Sequence, residues 1–516
     1  MDLLHLPSSL FLFLLPLFLL MVLKKKKKSA SSSKADQNLP PGPWKLPLIG
    51  SIQHLAGGSL PHRTLKDLAK RYGPLMHLQM GEVPMVVAST AEAAKEIMKT
   101  HDLNFATRPE MLSVKHITYG HDDVTFAPYS AHWRQMRKIC VVEMLTVKRV
   151  ESFSFIREEE VLSMLRAIAA VSSNNSPVNL TGKFYFLTNN VVARAAFGAR
   201  SKYHDMFLST MKDAIRATGG FGLSDLFPSS RLLLWITGIK AKLEKNQKEL
   251  DHILSNILED CRLRNKLVKR REERNEFDEN FVDILLRLQQ NGDLEVPITD
   301  NKIKAVVLDM FTAGTETSAN VLGWTMAELM RNPRVMIKVQ KEVRDVVGRK
   351  EKVTESDIQH LQYLKLVVKE TLRLHPPVPL LLPRESREKC QVMGYEVPTH
   401  TKVIVNVWAI GRDPLYWGDD AETFRPERFL ENPRDYKGTN FEFLPFGAGR
   451  RMCPGISFGI AGVELPLALL LYHFNWELPH GMGPESIDMT EEYGVTISQK
   501  SELCLIPKLC YPLPNF

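Results

Sequence analysis

Ten residues near the C-terminal end, Phe446–Gly455, have the composition of a loop folded closely around the sulfur of Cys453. Glycines in this loop allow backbone torsions and close approaches that a Cβ would prevent, and Pro454 stiffens the turn. Arg451 places a permanent cation next to the sulfur, and the apolar run Ile456–Trp476 predicts a buried helix directly after the loop. A cation and a helix N-terminus both favour the thiolate, which is the form of cysteine that binds metals. The loop therefore fits a metal-ligating cysteine, and the alternative is a structural cysteine buried in a glycine-rich turn.

A second group of chemically active residues lies inside a long apolar segment, Ile303–Met330, whose periodicity predicts a helix. Its centre reads Ala-Gly-Thr-Glu-Thr-Ser from Ala313, with glycine and polar residues where a buried helix would exclude them. Thr317 follows Ala313 by four residues, so its hydroxyl can bond to the Ala313 carbonyl and kink the helix. Gly314 leaves room for a ligand or a water against the backbone, and Glu316 supplies an acid beside the alcohol. The alternative is an exposed polar patch on an amphipathic helix.

A third pattern predicts a buried ion pair. Residues Ile358–His375 have the period of a helix that a Thr354-x-x-Asp357 capping box begins and two prolines end. Glu370 and Arg373 share one face of this helix, and Arg428 in a stiff downstream loop can close the pair into a triad, as buried charges require. An ordinary surface ion pair is the alternative.

Composition limits the class of protein that holds these groups. The chain has 516 residues, of which 44% are apolar and 24% charged, so it is long enough for one large core or several domains. Its six cysteines are far apart without C-x-x-C spacing, which argues against a disulfide framework or a zinc site. The first 34 residues, with six Lys and one Asp, carry +5 of the net charge of +8. The remainder lacks the positive excess of a nucleic-acid-binding protein.

The N-terminal segment explains that charge. Leu3–Leu23 is a mostly apolar stretch that as a helix would span about 30 Å, enough to cross a membrane. The basic run Lys24–Lys28 follows it, whereas a cleavable signal has a shorter apolar core, a preceding basic segment and a small-residue cleavage site. Because Lys-rich flanks stay cytoplasmic, we expect residues 1–23 to be a transmembrane signal anchor and everything after Lys24 to lie in the cytosol. A soluble secreted protein is the alternative.

The rest of the chain divides into a linker and one domain. Residues 24–44 form a basic and proline-rich linker, and residues 45–516 form the globular domain. A short strand-like piece, Met85–Val87, lies in a small mixed region near the start of the domain, and helical periodicity dominates from about residue 131 to 350.

Four motifs, in this order along the chain, together resemble those of the cytochrome P-450 family. They are Ala313-Gly314-x-Glu316-Thr317, Glu370-x-x-Arg373, Pro426-Glu427-Arg428-Phe429 and Phe446-x-x-Gly449-x-Arg451-x-Cys453-x-Gly455. The resemblance extends from the proline-rich linker to the end of the chain and is closest to the large plant group of monooxygenases anchored in the endoplasmic reticulum. It implies the haem-thiolate cytochrome P-450 fold, mainly α with a small β region, behind an N-terminal transmembrane helix. It also implies a single-pass protein of the endoplasmic reticulum membrane with a cytosolic catalytic domain.

The resemblance assigns roles to individual residues. Cys453 is similar to the axial thiolate ligand of haem b, iron protoporphyrin IX. Glu316 and Thr317 resemble the catalytic acid–alcohol pair that delivers protons during oxygen activation, whereas the predicted triad resembles a structural feature behind the haem. The residues implied to hold the haem, with a Trp-x-x-x-Arg pattern and arginines at its propionates, are Trp133, Arg137, Arg384, Phe446, Arg451, Cys453 and Gly455.

The implied reaction inserts one oxygen atom from dioxygen into a C–H bond. Its electrons come from NADPH through a flavoprotein reductase, so NADPH is not bound directly. Two other classes remain as alternatives. One is a haem-thiolate enzyme that rearranges peroxides without a reductase, which would have no need of Glu316 and Thr317. The other is a non-enzymatic haem sensor or electron carrier.

Mostly apolar segments line the substrate pocket that the resemblance implies. In Val378-Pro379-Leu380-Leu381-Leu382 no side chain is polar, so a small hydrophobic substrate fits best. Asp123 and Asp309 lie near the pocket segments without forming an obvious cation-binding pattern. Within the plant group the sequence is most similar to oxidases of sesquiterpenes and diterpenes, so we expect hydroxylation of a terpenoid, which a second oxidation would convert to a ketone. A phenolic or alkaloid precursor is the alternative. The pocket segments are Leu103–Phe126, the helix positions Leu308, Phe311 and Ala313, the loop Val378–Leu382, and Gly494–Ile497.

Overall fold

The computed structural model describes residues 38–198, 222–230, 237–268, 279–348, 350, 353–479, 481–492 and 494–514. The predicted anchor at residues 1–23 and most of the predicted linker at 24–44 lie outside these ranges. Within them the chain is mostly α-helix with four small β-sheets. The predicted fold class, mainly α with a small β region, is confirmed.

Helices make up most of the described chain. Short π-helical turns at Glu96–Thr100 and Cys140–Met144 continue two of them, and a 3-10 turn spans Gly449–Arg451. The α-helices of the described residues, numbered in chain order, are α1 Pro61–Tyr72, α2 Ala91–Lys95, α3 Leu112–Ile117, α4 Ala131–Ile139, α5 Val147–Ser152, α6 Ser154–Ser172, α7 Leu180–Phe197, α8 Leu223–Leu226, α9 Ile239–Val268, α10 Phe281–Asn291, α11 Asp300–Arg331, α12 Pro333–Val347, α13 Glu355–Ile358, α14 Gln362–Leu374, α15 Val407–Ile410, α16 Pro414–Trp417, α17 Arg428–Glu431 and α18 Ile456–His473.

The strands are short and lie toward the two ends of the domain sequence. They are β1 Leu75–Met80, β2 Val83–Ala88, β3 Val178–Asn179, β4 Arg384–Glu385, β5 Cys390–Val392, β6 Tyr395–Val397, β7 Lys402–Val405, β8 Phe474–Glu477, β9 Glu491–Glu492, β10 Ser498–Gln499 and β11 Cys504–Leu509. The main sheet has the order β1-β2-β7-β4, in which β2 and β7 pair in parallel and the other neighbours are antiparallel. The predicted strand Met85–Val87 lies within β2.

Helix α11 passes through the centre of the main hydrophobic core. It begins after Thr299, whose hydroxyl accepts a hydrogen bond from the N–H of Lys302, and it ends just before Pro333. It packs along α7 and against α18, and buried apolar residues of all three helices belong to one cluster. The predicted helix Ile303–Met330 is therefore confirmed and is slightly longer than its periodicity indicated.

Helix α18, which follows the cysteine loop, is a core helix. It is long and apolar enough to cross a membrane, but 61% of it is buried inside the protein. The sequence predicted a helix as far as Trp476, whereas the helix ends at His473 and the next four residues form β8. Buried Phe474 and Trp476 alternate with exposed residues there, which is the two-residue period of a strand.

The predicted helix Ile358–His375 is in fact two helices. The carboxylate of Asp357 accepts hydrogen bonds from the N–H and the hydroxyl of Thr354, at 2.9 and 3.0 Å, as the capping box predicted. The helix that it begins, α13, is a single turn, and α14 starts only at Gln362. Leu361 between them has a ψ of 86° and is 0% exposed, so the turn places its side chain in the core.

A buried triad centred on Glu370 fixes α14 to the loop downstream. One carboxylate oxygen of Glu370 accepts from Nε of Arg373 at 2.7 Å, and the other accepts from Nε of Arg428 at 2.9 Å. Glu370 and Arg373 are 0% exposed and Arg428 is 4% exposed. Both guanidiniums also donate to backbone carbonyls, among them those of Gly411 and Trp417. The predicted triad is present, and its geometry is that of a structural element.

Replacing Glu370 with glutamine should strongly destabilise the protein, because two buried guanidiniums would lose their shared anion. Breaking a buried ion pair typically costs about 3–5 kcal/mol. We expect the apparent melting temperature, followed by circular dichroism, to fall by several degrees. Asp345→Asn is the control, since Asp345 pairs with Lys341 at the surface and both side chains are mostly exposed. Equal melting temperatures for the two variants would contradict the structural role of Glu370.

Candidate functional site

The loop from Phe446 to Gly455 closes around Cys453 as the sequence predicted. The Cys453 N–H donates to the carbonyl of Phe446 at 3.0 Å, and the Gly455 N–H donates to the sulfur at the start of α18. Gly449 has a φ of +69°, and a Cβ there would lie only 2.4 Å from the carbonyl oxygen of Met98. Glycine is therefore required at this point for the loop to approach its neighbour.

Opposing effects act on the pKa of the Cys453 thiol. Burial raises the pKa of Cys453, while the Gly455 N–H and the Arg137 guanidinium lower it to a smaller extent. The N–H group at the helix start thus acts in the predicted direction, and burial outweighs it. A metal cation at the sulfur would favour the thiolate further, because metal coordination deprotonates a thiol. Across the described ranges, no group of three or more His, Cys, Asp or Glu side chains could hold a metal.

The guanidinium of Arg451 is directed at the backbone of a distant loop. It donates to the carbonyls of Ala106 at 2.6 Å, Val124 at 3.3 Å and Ala127 at 2.5 Å. It also lies 4.0 Å from the ring centroid of Trp133. The sequence placed this cation beside the sulfur, but the 3-10 turn that ends at Arg451 turns its side chain toward the loop.

Two other predicted residues, Arg137 and Arg384, reach the cysteine loop. Arg137 lies one helical turn after Trp133 in α4, and its guanidinium donates to the carbonyl of Met452. Arg384 in β4 donates to the carbonyl of Ala448 at 2.8 Å and pairs with Asp102 at 3.4 Å. Arg137 of the Trp-x-x-x-Arg pattern and Arg384 thus both donate to backbone carbonyls of the cysteine loop.

Sequence reasoning missed Arg108, which completes this group. Its Nε donates to the carbonyl of Thr125 at 3.0 Å, and its Nη1 donates to the carbonyls of Leu382 and Pro383 at 2.8 Å each. The side chain is buried. The available signal was the Arg108-Pro109 pair shortly after the apolar Phe105-Ala106, but no spacing rule connects it to the distant cysteine loop.

Arg108, Arg137, Arg384 and Arg451, called here the arginine cluster, carry more positive charge than their surroundings neutralise. Burial and the like charge of neighbouring guanidiniums lower the pKa of Arg451 to about 9, and burial lowers the pKa of Arg384 to about 10. Asp102 pairs with Arg384, whereas burial raises the pKa of Asp123 well above its usual range, which disfavours its charged form. The cluster therefore suits an anionic group, and the two propionates of haem match its forked donors.

The acid–alcohol pair lies on a continuous stretch of α11. The Thr317 hydroxyl donates to the Ala313 carbonyl, as predicted, and the helix is not interrupted there. Ala313 is exposed and Glu316 and Thr317 are half-buried, in contrast to the buried turns that follow. Gly314 lines a small cavity together with Val191 and Ser318, which agrees with its predicted role of leaving space against the backbone. A Cβ there would lie 2.9 Å from a methyl group of Val192 in α7, so glycine also allows close helix packing.

Two of the predicted pocket segments approach each other, and one of them contacts the cysteine loop. The N–H of Ile497 donates to the carbonyl of Pro377 at 2.9 Å, which joins the C-terminal segment to the loop Val378–Leu382. Leu381 in that loop lies against Gly447 of the cysteine loop, 3.6 Å from where a Cβ would be. Phe311 does not fit the prediction, because it is 2% exposed and stacks on a core phenylalanine of α7.

Comparisons with known proteins agree with this arrangement. The chain is 51% identical to the premnaspirodiene oxygenase of Hyoscyamus muticus, over 96% of this chain and 97% of that protein. It is also 51% identical to the desmethyl-deoxy-podophyllotoxin synthase of Sinopodophyllum hexandrum, over 93% and 94% of the two chains. A zebra fish cytochrome P450 solved with progesterone superposes with a TM-score of 0.72 at 26% identity, covering 88% of this chain and 100% of that one. Residues 40–505 match the family described as Cytochrome P450. The chain therefore belongs to the cytochrome P450 family and is a haem-dependent monooxygenase that takes its electrons from NADPH through a reductase.

Proposed function

We propose that Cys453 is the protein ligand of the haem iron and that the arginine cluster, with Trp133, holds the propionate edge. The observation that carries this assignment is the surplus of buried positive charge directly beside the loop that encloses Cys453. This loop immediately precedes helix α18. The Phe446 carbonyl holds the backbone of Cys453 by accepting its N–H, and the Gly455 N–H donates to the sulfur. When bound, haem with a thiolate ligand supplies the oxygen-activating and C–H-oxidising chemistry.

The protein's part in the reaction is to deliver protons in a dry site. The hydroxyl hydrogen of Thr317 is donated to the Ala313 carbonyl, so the lone pairs of its oxygen remain free to accept a proton donor. Glu316, the neighbouring acid, supplies protons toward that oxygen, and the apolar loop Val378–Leu382 excludes bulk water. Peroxide rearrangement would need neither group, so the pair favours a monooxygenase.

The substrate in this proposal is a sesquiterpene or diterpene that is hydroxylated at a C–H bond. The loop Val378–Leu382 offers no polar side chain, and a hydrocarbon skeleton leaves no buried polar group without a partner. Premnaspirodiene, named in one relative, is a sesquiterpene. A phenolic or alkaloid precursor is the second candidate, because the other relative, at the same identity, is named for a different product, desmethyl-deoxy-podophyllotoxin.

The enzyme in this proposal is anchored in the endoplasmic reticulum membrane by Leu3–Leu23, as a single-pass protein with a cytosolic catalytic domain. Its partner is the membrane-bound NADPH-dependent flavoprotein reductase. The apolar length of the segment and the Lys24–Lys28 flank support this orientation.

Cys453→Ser should abolish the long-wavelength absorbance of the reduced carbon monoxide complex, because a serine hydroxyl does not replace the thiolate. Cys390→Ser is the matched control, since Cys390 is also half-buried and unpaired, and it should leave the spectrum unchanged. The measurement is a carbon monoxide difference spectrum of microsomes. A thiolate spectrum retained by Cys453→Ser would contradict the assignment.

Thr317→Ala should leave haem incorporation intact but uncouple NADPH consumption from product formation. Product should fall by on the order of 10²-fold while hydrogen peroxide release rises, because the positioned hydroxyl that guides the proton is gone. Thr325→Ala is the control, since its hydroxyl makes the same type of bond, to the Val321 carbonyl at 2.7 Å, two turns further along α11. Unchanged coupling in Thr317→Ala would show that this threonine is only structural.

The substrate class is tested by co-expressing the enzyme with a reductase and a panel of sesquiterpene and diterpene synthases, followed by identification of products by gas chromatography and mass spectrometry. We expect at least one oxygenated terpene that the catalytically dead Cys453→Ser variant does not form. Oxidation of phenolic or alkaloid substrates alone would overturn the terpenoid proposal while leaving the monooxygenase class in place.

A further inference from the structure

Asp309 joins helix α11 to the loop that follows α3. It lies about two turns before Thr317 on the same helix. Its Oδ2 accepts hydrogen bonds from the backbone N–H groups of Val124 at 2.7 Å and Thr125 at 3.2 Å. One carboxylate oxygen therefore holds two consecutive residues of a loop that is distant in sequence.

The carbonyls of those two residues hold the side chains proposed to contact haem. The Val124 carbonyl accepts from the indole N–H of Trp133 at 2.9 Å and from Arg451 at 3.3 Å. The Thr125 carbonyl accepts from Nε of Arg108 at 3.0 Å. Val124 and Thr125 are thus each held at the N–H by the Asp309 carboxylate. Their carbonyls are held by side chains proposed to contact haem.

Asp123 fixes the same loop from within. Its side chain is 0% exposed, and its Oδ2 accepts from the N–H of Phe126 at 2.6 Å. Burial and the adjacent Asp309 raise the pKa of Asp123 well above its usual range, and burial raises the pKa of Asp309 to about 6. Both side chains therefore act on this loop as hydrogen-bond acceptors for its backbone N–H groups.

We propose that Asp309 is a positioning residue whose carboxylate fixes the segment Asp123–Ala127 and thereby sets where Arg108, Arg451 and Trp133 meet the haem edge. This inference rests on the proposed haem site. It gives Asp309 a role that neither a substrate-binding acid nor a proton donor would have, because its side-chain oxygen is used as an acceptor for the backbone. It also ties the helix that carries Glu316 and Thr317 to the edge that holds the cofactor.

The direct test is hydrogen exchange, followed by mass spectrometry, of the peptide that contains Asp123–Ala127 in the full-length holoenzyme in detergent. Asp309→Ala removes the acceptor, so exchange of this peptide should accelerate by about tenfold, which is the effect of losing roughly one buried hydrogen bond. Asp309→Asn keeps an oxygen at the same position and should remain within about threefold of the wild type. Asp122→Ala, which changes an acid of the same loop whose side chain makes none of these bonds, should behave as the wild type.

A second readout follows the cofactor. Haem transfer to an excess of apomyoglobin should be several-fold faster from Asp309→Ala than from the wild type, and near the wild-type rate for Asp309→Asn and Asp122→Ala. If Asp309→Ala does not accumulate, Asp309→Glu displaces the carboxylate by one methylene and should show both effects in weaker form.

Two outcomes would overturn the inference. The first is exchange and haem transfer in Asp309→Ala, or in Asp309→Glu where the alanine variant does not accumulate, that match those of Asp122→Ala. The second is equal damage from Asp309→Asn and Asp309→Ala, because then the charge and not the acceptor would matter. Failure of the proposed haem site is distinguishable, since the wild-type protein itself would then lack the thiolate spectrum whatever the exchange of this loop.

Discussion

The buried guanidinium groups of the arginine cluster all require hydrogen-bond acceptors. This requirement governs the structure around the cysteine loop. A guanidinium has five N–H donors and stays charged in proteins, so every buried arginine requires acceptors that are already in place. Here the acceptors are mainly backbone carbonyls, such as those of Ala106, Ala127 and Ala448. These carbonyls belong to loops that share no regular secondary structure with one another. The loops are therefore positioned by the charges they surround, and the cysteine loop is fixed by the same bonds.

The protein uses buried arginine in two ways that differ in how the charge is balanced. In the triad, Glu370 lies between two guanidiniums and supplies an anion that belongs to the chain. In the arginine cluster the acids provide less compensation, because Asp102 pairs with Arg384 alone among the four and also with Arg450 outside the cluster, and burial disfavours the charged form of Asp123. The first arrangement is complete without a ligand, whereas the second is completed by an anion from outside. This difference in balance separates a structural element from a binding site more clearly than burial does, since both groups are buried.

Local spacing determined which features could be predicted from the sequence. The Thr317 bond to Ala313, the Glu370–Arg373 pair and the glycine loop around Cys453 all depend on residues within one or two turns of each other, so composition and period were enough. The end of α18 was misplaced because an apolar helix and a strand with two buried residues look alike in a hydrophobic run. The direction of the Arg451 side chain and the contribution of Arg108 depend on carbonyls from distant segments. No spacing rule relates such partners, and only the folded chain brings them together.

The arginine cluster also has a consequence for the order in which the molecule is made. Arg108 belongs to the first quarter of the chain, whereas Cys453 is translated close to the end. Most of the helical core has therefore left the ribosome before Cys453, the proposed haem ligand, is made. Contacts between such distant segments form late in folding, because loop closure must precede them. In the proposed site, haem uptake is then limited to polypeptides that are nearly complete, and the free energy of cofactor binding stabilises only those. A chain that ends before Cys453 would lack both the proposed ligand and the core helix α18, so one truncation would remove the cofactor and part of the core together.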